Sequence, residues 1–259
     1  MKMNALLLAG GTISIDDPLY GETRDGCRSL IDLHGKPMAQ WVIDALDASD
    51  AVNELYVIGL TSQNGLVSAK PMHYLPDSGG LFENLRDGVL SAAGDDPAQT
   101  KVITASADIP GLRPEMVDWL ATQVAQDPSA SLFYNVIKKE TMEMRYPEAG
   151  RSFVRFKDMS VCGGDVNVID RTFFDQDNPI WKKLTDARKN PLKQVRLLGF
   201  YNLVLVALHL VTLEEAVNRV CRKLSVKGRA LISPHAEMAM DADKPHQLAI
   251  LRNDLESVL

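Results

Sequence analysis

Residues 4–12 read Asn-Ala-Leu-Leu-Leu-Ala-Gly-Gly-Thr, a short apolar run that ends in two glycines. An apolar run of this length, bounded by a turn signal, is typical of a buried strand in a parallel sheet. Glycine has no side chain, so the backbone N–H groups of Gly10 and Gly11 can approach an anion closely. The opening therefore predicts a first strand at residues 4–9, followed by a turn that suits a phosphate.

The same alternation of strand-length and helix-length segments continues downstream. Residues 152–156 alternate between polar and apolar side chains, which favours an antiparallel edge strand. Apolar spacing of i, i+3 and i+4 marks the crossover helices. We therefore expect an α/β fold with a mainly parallel mixed sheet covered by helices. Further strands are predicted at residues 55–60, 101–105, 130–136 and 165–169, and helices at residues 37–48, 81–93 and 114–126.

The last third of the chain is richer in helix signals. Residues 179–189 and 191–210 have helical patterns, and Thr212 and Glu215 have the spacing of a capping box. Because no Gly/Ser-rich or Pro-rich linker precedes this part, we expect a single domain over residues 1–259. A helix-rich subdomain at about residues 171–228 is predicted to pack on the rest.

Composition excludes several classes of protein. Lys and Arg number 28 against 34 Asp and Glu, a formal charge of -6, and no basic run is present that would bind a nucleic acid. Cys27, Cys162 and Cys221 are odd in number and lack a CxxC or CxxH neighbour, which argues against a disulfide framework or zinc. The first apolar run is too short for a signal-peptide core. We expect a cytoplasmic protein with reduced thiols.

Residues 197–213 contain no Asp, Glu, Lys or Arg, close to the lower length limit for a membrane-spanning helix. Asn202 and His209 interrupt the segment. We favour a buried core helix or a subunit contact over membrane contact. The subunit contact would make the protein a homodimer. The alternative is contact with a membrane or with a lipid-like acceptor.

A second motif follows the glycine turn and gives the first resemblance to a family. Arg28 begins a stretch that ends in Gly35-Lys36-Pro37 before a predicted helix. In combination with the first strand, it resembles the pattern LAGG, K-x-L-x-x-x-x-G-K-P-M of MobA-like NTP transferases, which act on molybdenum cofactors and sugar phosphates. Arg28 stands where most members have Lys. The resemblance implies catalytic roles for Arg28 and Lys36, and nucleotide binding by Leu8, Ala9, Gly10, Gly11 and Thr12.

Three later segments extend the resemblance along the chain. Asp77-Ser-Gly-Gly80 before a helix is similar to the family's segment that holds the nucleotide base, which implies nucleotide binding by Gly79, Gly80 and Asn84. Asp108 lies in the Asp-x-Pro segment that supplies a metal-binding carboxylate. Asp243, in the closing Asp-x-Asp-x-Pro segment, would be the other metal ligand, with Asp241 as its alternative.

The acceptor side is the least defined part of the resemblance. Gly163-Gly164-Asp165-Val-Asn167 resembles the family's glycine turn before a strand, which implies acceptor contacts from Gly164, Asp165 and Asn167. A basic cluster containing Arg188 and Lys193 could dock an anionic acceptor. Its charges could equally be solvated at the end of a helix.

The resemblance implies a Rossmann-like nucleotide-diphospho-sugar transferase fold with three α/β/α layers. It also implies an enzyme that moves a nucleoside monophosphate from an NTP, with CTP or GTP favoured, to a phosphorylated small molecule or cofactor and releases pyrophosphate. Such a reaction needs a cation against the phosphate charge, and Mg²⁺ or Mn²⁺ needs only one or two carboxylates. Asp108 and Asp243 match that number.

Two other functions remain open from the sequence. A glycosyltransferase that consumes a nucleotide sugar could share the fold, although such enzymes use a mid-chain Asp-x-Asp and lack the glycine turn with Gly-Lys-Pro. A non-catalytic nucleotide-binding protein is the third hypothesis, because Arg28 replaces the usual Lys.

Overall fold

A nine-stranded mixed sheet runs through the computed structural model, which describes residues 1–95, 99–174 and 209–257. The strands, with the small β2–β3 hairpin apart from the sheet, are β1 (Met3–Leu8), β2 (Asp32–Leu33), β3 (Lys36–Pro37), β4 (Val52–Ile58), β5 (Met72–Leu75), β6 (Lys101–Ser106), β7 (Leu132–Lys138), β8 (Val154–Arg155), β9 (Ser160–Gly163), β10 (Val166–Asp170) and β11 (Gly228–Ser233). The described helices are α1 (Met38–Ala48), α2 (Leu81–Ala93), α3 (Pro114–Ala125), α4 (Lys139–Arg145), α5 (Leu213–Leu224) and α6 (Pro245–Glu256).

Strand order explains why the glycine turn is central. The sheet runs β5-β4-β1-β6-β10-β7-β9-β8, and β11 pairs with β7 in parallel. Leu6 of β1 is in register with Tyr56 on one side and Thr104 on the other, both in parallel strands. The carboxyl ends of β4, β1 and β6 therefore meet at one edge, where ligands bind in open α/β sheets.

Alternation along β1 separates two apolar layers. Met3, Ala5 and Leu7 pack into a cluster with residues of α1 and α3, whereas Leu6 packs with residues of α2. Successive strand side chains point to opposite faces, so helices cover both sides of the sheet. This arrangement confirms the predicted three-layer α/β/α fold.

Within the described residues, the structure places the predicted strands, and the helices expected at residues 37–48, 81–93 and 114–126, within a few residues of their expected bounds. The sequence did not indicate the direction of one interior strand. β10 lies inside the sheet and runs antiparallel to both β6 and β7. The expected antiparallel edge strand at residues 152–156 is present as β8, which is only two residues long and pairs with β9. Strands β5, β9 and β11 were not predicted, because each is short or lacks a continuous apolar run.

The capping box that opens α5 is confirmed. Glu215 N donates to Thr212 Oγ1 at 3.2 Å, and Thr212 N donates to Glu215 Oε2 at 3.0 Å. The predicted helix at residues 179–189 and most of that at residues 191–210 lie outside the described residues. His209, which is described, is not helical and has a φ of 55°.

Two further observations concern the apolar segment and the thiols. In the ranges that the structure describes, no helix has both the length and the apolar character to cross a membrane. Most of residues 197–213 lie outside those ranges.

All three cysteines are free: Cys162 is buried, and Cys27 and Cys221 are partly buried.

Candidate active site

The glycine turn after β1 is built from bare backbone. Gly59, at the end of β4, has a φ of 90°, and a Cβ atom on it would lie 2.1 Å from the Cα of Gly10. Ala9 N donates to Ile58 O at 3.0 Å, which holds the two strand ends together. Gly10 and Gly11 remain exposed on the other side of this contact. The turn therefore presents backbone to solvent where the sequence predicted a phosphate.

The loop before α2 borders this turn. Asn84 Nδ2 donates to Asp77 Oδ1 at 3.0 Å, and Asn84 Oδ1 accepts from Ser78 N at 2.6 Å. A Cβ atom on Gly10 would lie 3.5 Å from Asp77 Oδ2 and 3.6 Å from Asn84 Nδ2. Hydrogen bonds from Gly79 N and Asn84 lower the pKa of Asp77. The two segments predicted to bind the nucleotide are thus neighbours.

Arg28 connects the long first loop to the end of the chain. Its guanidinium donates to the carboxylate of Asp243 and lies 3.3 Å from Asp17 Oδ2. The Arg28 side chain is mostly buried, whereas that of Asp243 is half exposed. The structure therefore brings together two of the residues that the sequence assigned to catalysis and metal binding.

Asp108 follows β6 and meets the closing segment through both backbone and charge. Ala242 N donates to Asp108 O at 2.9 Å, and Ser106 Oγ donates to the Asp108 carboxylate. Burial raises the pKa of Asp108, and the charges of Asp241 and Asp243 raise it further. The middle and the end of the chain thus contribute carboxylates to one cluster.

Asp165 is a further carboxylate of this group, and the side chain of Arg151 lies between Asp165 and Asp241. Arg151 donates to Asp241, and its Nη2 lies 3.8 Å from Asp165 Oδ2. Asp165 N donates to Met238 O at 2.8 Å, which ties the start of β10 to the segment before Asp241. Burial, followed by the charges of Asp108 and Asp241, raises the pKa of Asp165 to about 8. We call Asp108, Asp165, Asp241 and Asp243 the carboxylate cluster.

Comparison with known proteins identifies the family to which this site belongs. The profile described as the MobA-like NTP transferase domain matches residues 5–154, more than half of the chain. The chain belongs to the MobA-like NTP transferase family. A solved structure of a hypothetical transferase from Thermus thermophilus is 32% identical, with a TM-score of 0.80 over 96% of this chain and 100% of its own. The prediction of a nucleotidyltransferase is confirmed.

More distant structures show the same fold. A CMP:2-keto-3-deoxy-manno-octonic acid synthetase complexed with CTP is 14% identical, with a TM-score of 0.61 over 100% of both chains. The 4-diphosphocytidyl-2C-methyl-D-erythritol synthase of Anaerococcus prevotii is 9% identical, with a TM-score of 0.58 over 98% of this chain and 96% of its own. The sequence comparison with curated proteins returned no match.

The donor set of this MobA-like site fits a divalent cation held by few protein ligands. In residues 1–95, 99–174 and 209–257, no three His, Cys, Asp or Glu side chains are arranged around one ion position. Asp108 and Asp243 supply two carboxylates that repel each other, and carboxylate oxygens are the ligands that Mg²⁺ and Mn²⁺ prefer. Mg²⁺ completes its shell with water and phosphate oxygens. The residues therefore suit the predicted ion.

The contacts of the Lys36 side chain are with α1 and not with the carboxylate cluster. Its Nζ is 2.6 Å from Asp44 Oδ2 and 4.1 Å from the centre of the Trp41 ring, so its partners belong to α1. An ammonium held in this way is neutralised locally. The structure does not join Lys36 to Arg28 or Asp108, and its catalytic role stays a prediction.

The predicted acceptor residues divide into three groups. Asn167 holds neighbouring backbone, accepting from Asn135 N at 2.8 Å and donating to Gly164 O at 3.1 Å. Asp165 instead belongs to the carboxylate cluster and lies near Arg151. Arg188 and Lys193 lie outside the described residues.

Sequence reasoning missed Arg151 and Asp17 as members of the site. Arg151 lies between α4 and β8, where no motif or spacing distinguishes it from a surface arginine. Asp17 lies within the long loop after β1, which carries several carboxylates. Only the folded arrangement singles them out.

Proposed function

We propose that this MobA-like chain transfers a nucleoside monophosphate from an NTP to a phosphorylated small molecule or cofactor and releases pyrophosphate. The observation that supports this most is the junction of Ala242 N with Asp108 O beside the carboxylates of Asp108 and Asp243. It brings an Asp from the middle of the chain and one from its end to the sheet edge where the glycine turn lies.

The nucleotide would lie across the turn and the loop before α2. The exposed backbone of Gly10 and Gly11 can donate to phosphate oxygens, and the neighbouring loop of Asp77 and Asn84 would hold the base. Fixing both ends of the nucleotide orients the α-phosphorus toward the acceptor. Such positioning accounts for much of the rate in phosphoryl transfer.

Bond changes in the reaction need no covalent enzyme intermediate. An oxygen of the acceptor forms a bond to the α-phosphorus, while the bond from that phosphorus to the bridging oxygen breaks and pyrophosphate leaves. Arg28 would stabilise the negative charge that develops on the departing group. Its guanidinium is permanently charged and matches phosphate geometry.

A divalent cation, Mg²⁺ or Mn²⁺, would be held by Asp108 and Asp243 and would neutralise phosphate charge when bound. Ser106 orients the Asp108 carboxylate by a hydrogen bond. On the acceptor side, we propose contacts from Gly164, Asp165 and Asn167, with Arg188 and Lys193 for an anionic group.

We further propose that residues 1–259 act as one domain in the cytoplasm. The proposed metal ligands must meet although they come from the middle and the end of the chain, and β1 and β11, from the two ends of the chain, belong to the same nine-stranded sheet. Free thiols at Cys27, Cys162 and Cys221 are consistent with a reducing compartment.

Pyrophosphate release is the direct test. The purified protein is incubated with Mg²⁺, each of the four NTPs and a panel of phosphorylated acceptors. CTP and GTP are the first to test, and the names of the distant cytidylyl enzymes give CTP priority. We expect release with one NTP and one acceptor class only.

Substitutions then distinguish a role in catalysis from a general effect on folding. Asp108→Asn is expected to lower the rate by about 100-fold or more, because the site loses a charged ligand in a position that neutral Asn fills. Asp127→Asn removes a carboxylate that contacts Arg229 before β7, remote from the turn, and serves as the matched control. A wild-type protein that releases no pyrophosphate from any NTP would contradict the proposal, as would an Asp108→Asn variant with full activity.

A further inference from the structure

The two aspartates of the closing segment have different surroundings. The Asp241 side chain is 13% exposed and receives a hydrogen bond from Arg151. The Asp243 side chain is 50% exposed and contacts Arg28, whose guanidinium belongs to the first loop. Ala242 between them is buried, and its N–H is bonded to Asp108 O. The backbone is thus fixed, and the two side chains meet separate arginines.

Arg151 is enclosed by the cluster that it neutralises. Its side chain is 13% exposed, it bonds Asp241, and its other Nη lies 3.8 Å from Asp165 Oδ2. Within the part of the chain that the structure describes, its buried Nε has no hydrogen-bond partner. The guanidinium is thus held by Asp241 and lies close to Asp165, whose buried Oδ2 has no hydrogen-bond partner among the described residues, so it has little freedom to leave Asp241.

The charges of these carboxylates decide where a cation would bind. Four carboxylates lie within electrostatic reach of one another, as the raised pKa values of Asp108 and Asp165 show. A cation entering the site is attracted by every carboxylate that lacks a partner. A carboxylate enclosed with its arginine, as Asp241 is, is removed from that competition, whereas the half-exposed Asp243 can exchange Arg28 for the cation.

We propose that Arg151 is a positioning residue for the reaction of the proposed function, on which this inference rests. By binding Asp241, Arg151 withholds this carboxylate from the cation, so that Asp108 and Asp243 alone hold it beside the nucleotide. Asp241 is then a partner of Arg151 and not a metal ligand.

The proposal predicts an unusual pattern of substitutions. Arg151→Ala leaves Asp241 unpaired, and breaking one side of a buried ion pair exposes an uncompensated charge. The variant should bind Mn²⁺ about three- to tenfold more tightly, because another carboxylate attracts the ion. Its turnover should fall about 10- to 100-fold with a smaller change in the KM for NTP, because the ion is misplaced.

Adding Asp241→Asn should reverse this effect. The double variant Arg151→Ala with Asp241→Asn loses one charge of each sign, so its Mn²⁺ affinity should return to within about threefold of wild type, with partial recovery of turnover. Asp241→Asn alone removes no ligand but leaves the Arg151 guanidinium unpaired, so it should weaken Mn²⁺ binding by about three- to fivefold. Asp243→Asn should weaken Mn²⁺ binding at least about tenfold.

Mn²⁺ binding is measured by the electron paramagnetic resonance of the free ion, first with protein alone and then with CTP or GTP. Arg151→Lys keeps the charge and should lie close to wild type in Mn²⁺ affinity. Arg252→Ala, which removes an arginine that pairs with Glu22, controls for general loss of positive charge. Thermal unfolding establishes that each variant is folded, and Asp241→Asn tests the assignment if Arg151→Ala is not.

The inference is overturned if Asp241→Asn weakens Mn²⁺ binding as much as Asp243→Asn, or if Arg151→Ala loses Mn²⁺ binding and Asp241→Asn fails to restore it. Those results can occur with a wild-type protein that binds Mn²⁺ and releases pyrophosphate. A wild-type protein that does neither contradicts the proposed function and takes this inference with it.

Discussion

The guanidinium of Arg28 donates a hydrogen bond to the carboxylate of Asp243, although 215 positions separate the two residues in the chain. In the proposed reaction, Asp243 would hold a cation and Arg28 would contact phosphate. Both partners are therefore needed elsewhere when substrates bind. We infer that the pair keeps the two charges close together before binding and that each then exchanges its partner for one of opposite charge.

Arg28 is the first residue to test. Arg28→Ala should lower pyrophosphate release by about 100- to 1,000-fold, because a charged donor aimed at the developing negative charge is lost. Arg28→Lys should retain activity within about tenfold of wild type, since Lys keeps a positive charge that can contact phosphate. The measurement is kcat and KM for the NTP.

Arg252→Ala is the matched control for Arg28 and should have wild-type kinetics, because its contact with Glu22 is exposed and separate from the cluster. If Arg28→Ala turned over NTP at the wild-type rate, the arginine would be only a structural partner of Asp243.

The contact between the two strand ends predicts a stability difference between glycines. Gly59 and Gly65 both have positive φ, 90° and 72°, but only at Gly59 would a Cβ atom meet backbone, 2.1 Å from Gly10 Cα. Gly65→Ala should cost about 1 kcal/mol, the cost of the left-handed conformation alone. Gly59→Ala should cost at least about 3 kcal/mol, because the strand ends must also separate.

Urea unfolding gives both values, and NTP binding to Gly59→Ala should weaken because the glycine turn moves. Equal losses of stability at the two positions would show that the close approach to Gly10 carries no energetic weight.

Local patterns were enough to predict the parts of the fold that depend on neighbours in sequence. The apolar run before Gly10 specified β1, and helical periodicity specified α2 at its observed bounds. The interior antiparallel strand β10 was not predicted as such, because residues buried on both faces read the same in either direction. Strand direction is set by connections, which a local pattern does not contain.

The same distinction applies to the site. Asp108 and Asp243 could be predicted as metal ligands because they belong to motifs with fixed spacing, and the structure brings both to one cluster. Arg151 has no such motif, and its contacts are with Asp165 and Asp241, which are distant in sequence. Lys36 has a motif, yet its contacts lie with Asp44 and Trp41, because a long flexible side chain can turn toward the helix that follows it.

Substitution of Asn84 is expected to change the affinity for the nucleotide. Its side-chain amide joins Ser78 N to Asp77 Oδ1, so Asn84→Ala removes both contacts and releases the loop beside Gly10. The Kd for NTP should rise about 10- to 100-fold, with a smaller effect on kcat, because a polar contact to a charged group contributes roughly 1.5–3 kcal/mol.

Asn64 offers a control of the same kind, because its side chain accepts from Thr61 N in an exposed turn. Asn64→Ala should leave the Kd for NTP unchanged. Isothermal titration with each NTP measures both variants, and an unchanged Kd in Asn84→Ala would contradict a role for this loop in nucleotide binding.

The raised pKa of Asp165 predicts that the free energy of unfolding depends on pH. Its pKa is raised to about 8 in the folded protein, mainly by burial and then by Asp108 and Asp241, against about 3.9 for an unfolded Asp. Between these values the unfolded carboxyl is ionised while the folded one stays protonated. Unfolding then releases a proton, so Asp165 lowers the stability progressively as the pH rises from about 4 to about 8.

Asn is neutral at every pH, so Asp165→Asn should remove this loss. In urea unfolding with EDTA present, the free energy of unfolding of Asp165→Asn relative to wild type should increase by at least about 1 kcal/mol between pH 5 and pH 8.5. Asp16→Asn, at an exposed loop position, is the control and should show no such increase. A difference between Asp165→Asn and wild type that stays constant over this range would mean that Asp165 is ionised in the folded protein, and that Arg151 compensates its charge fully.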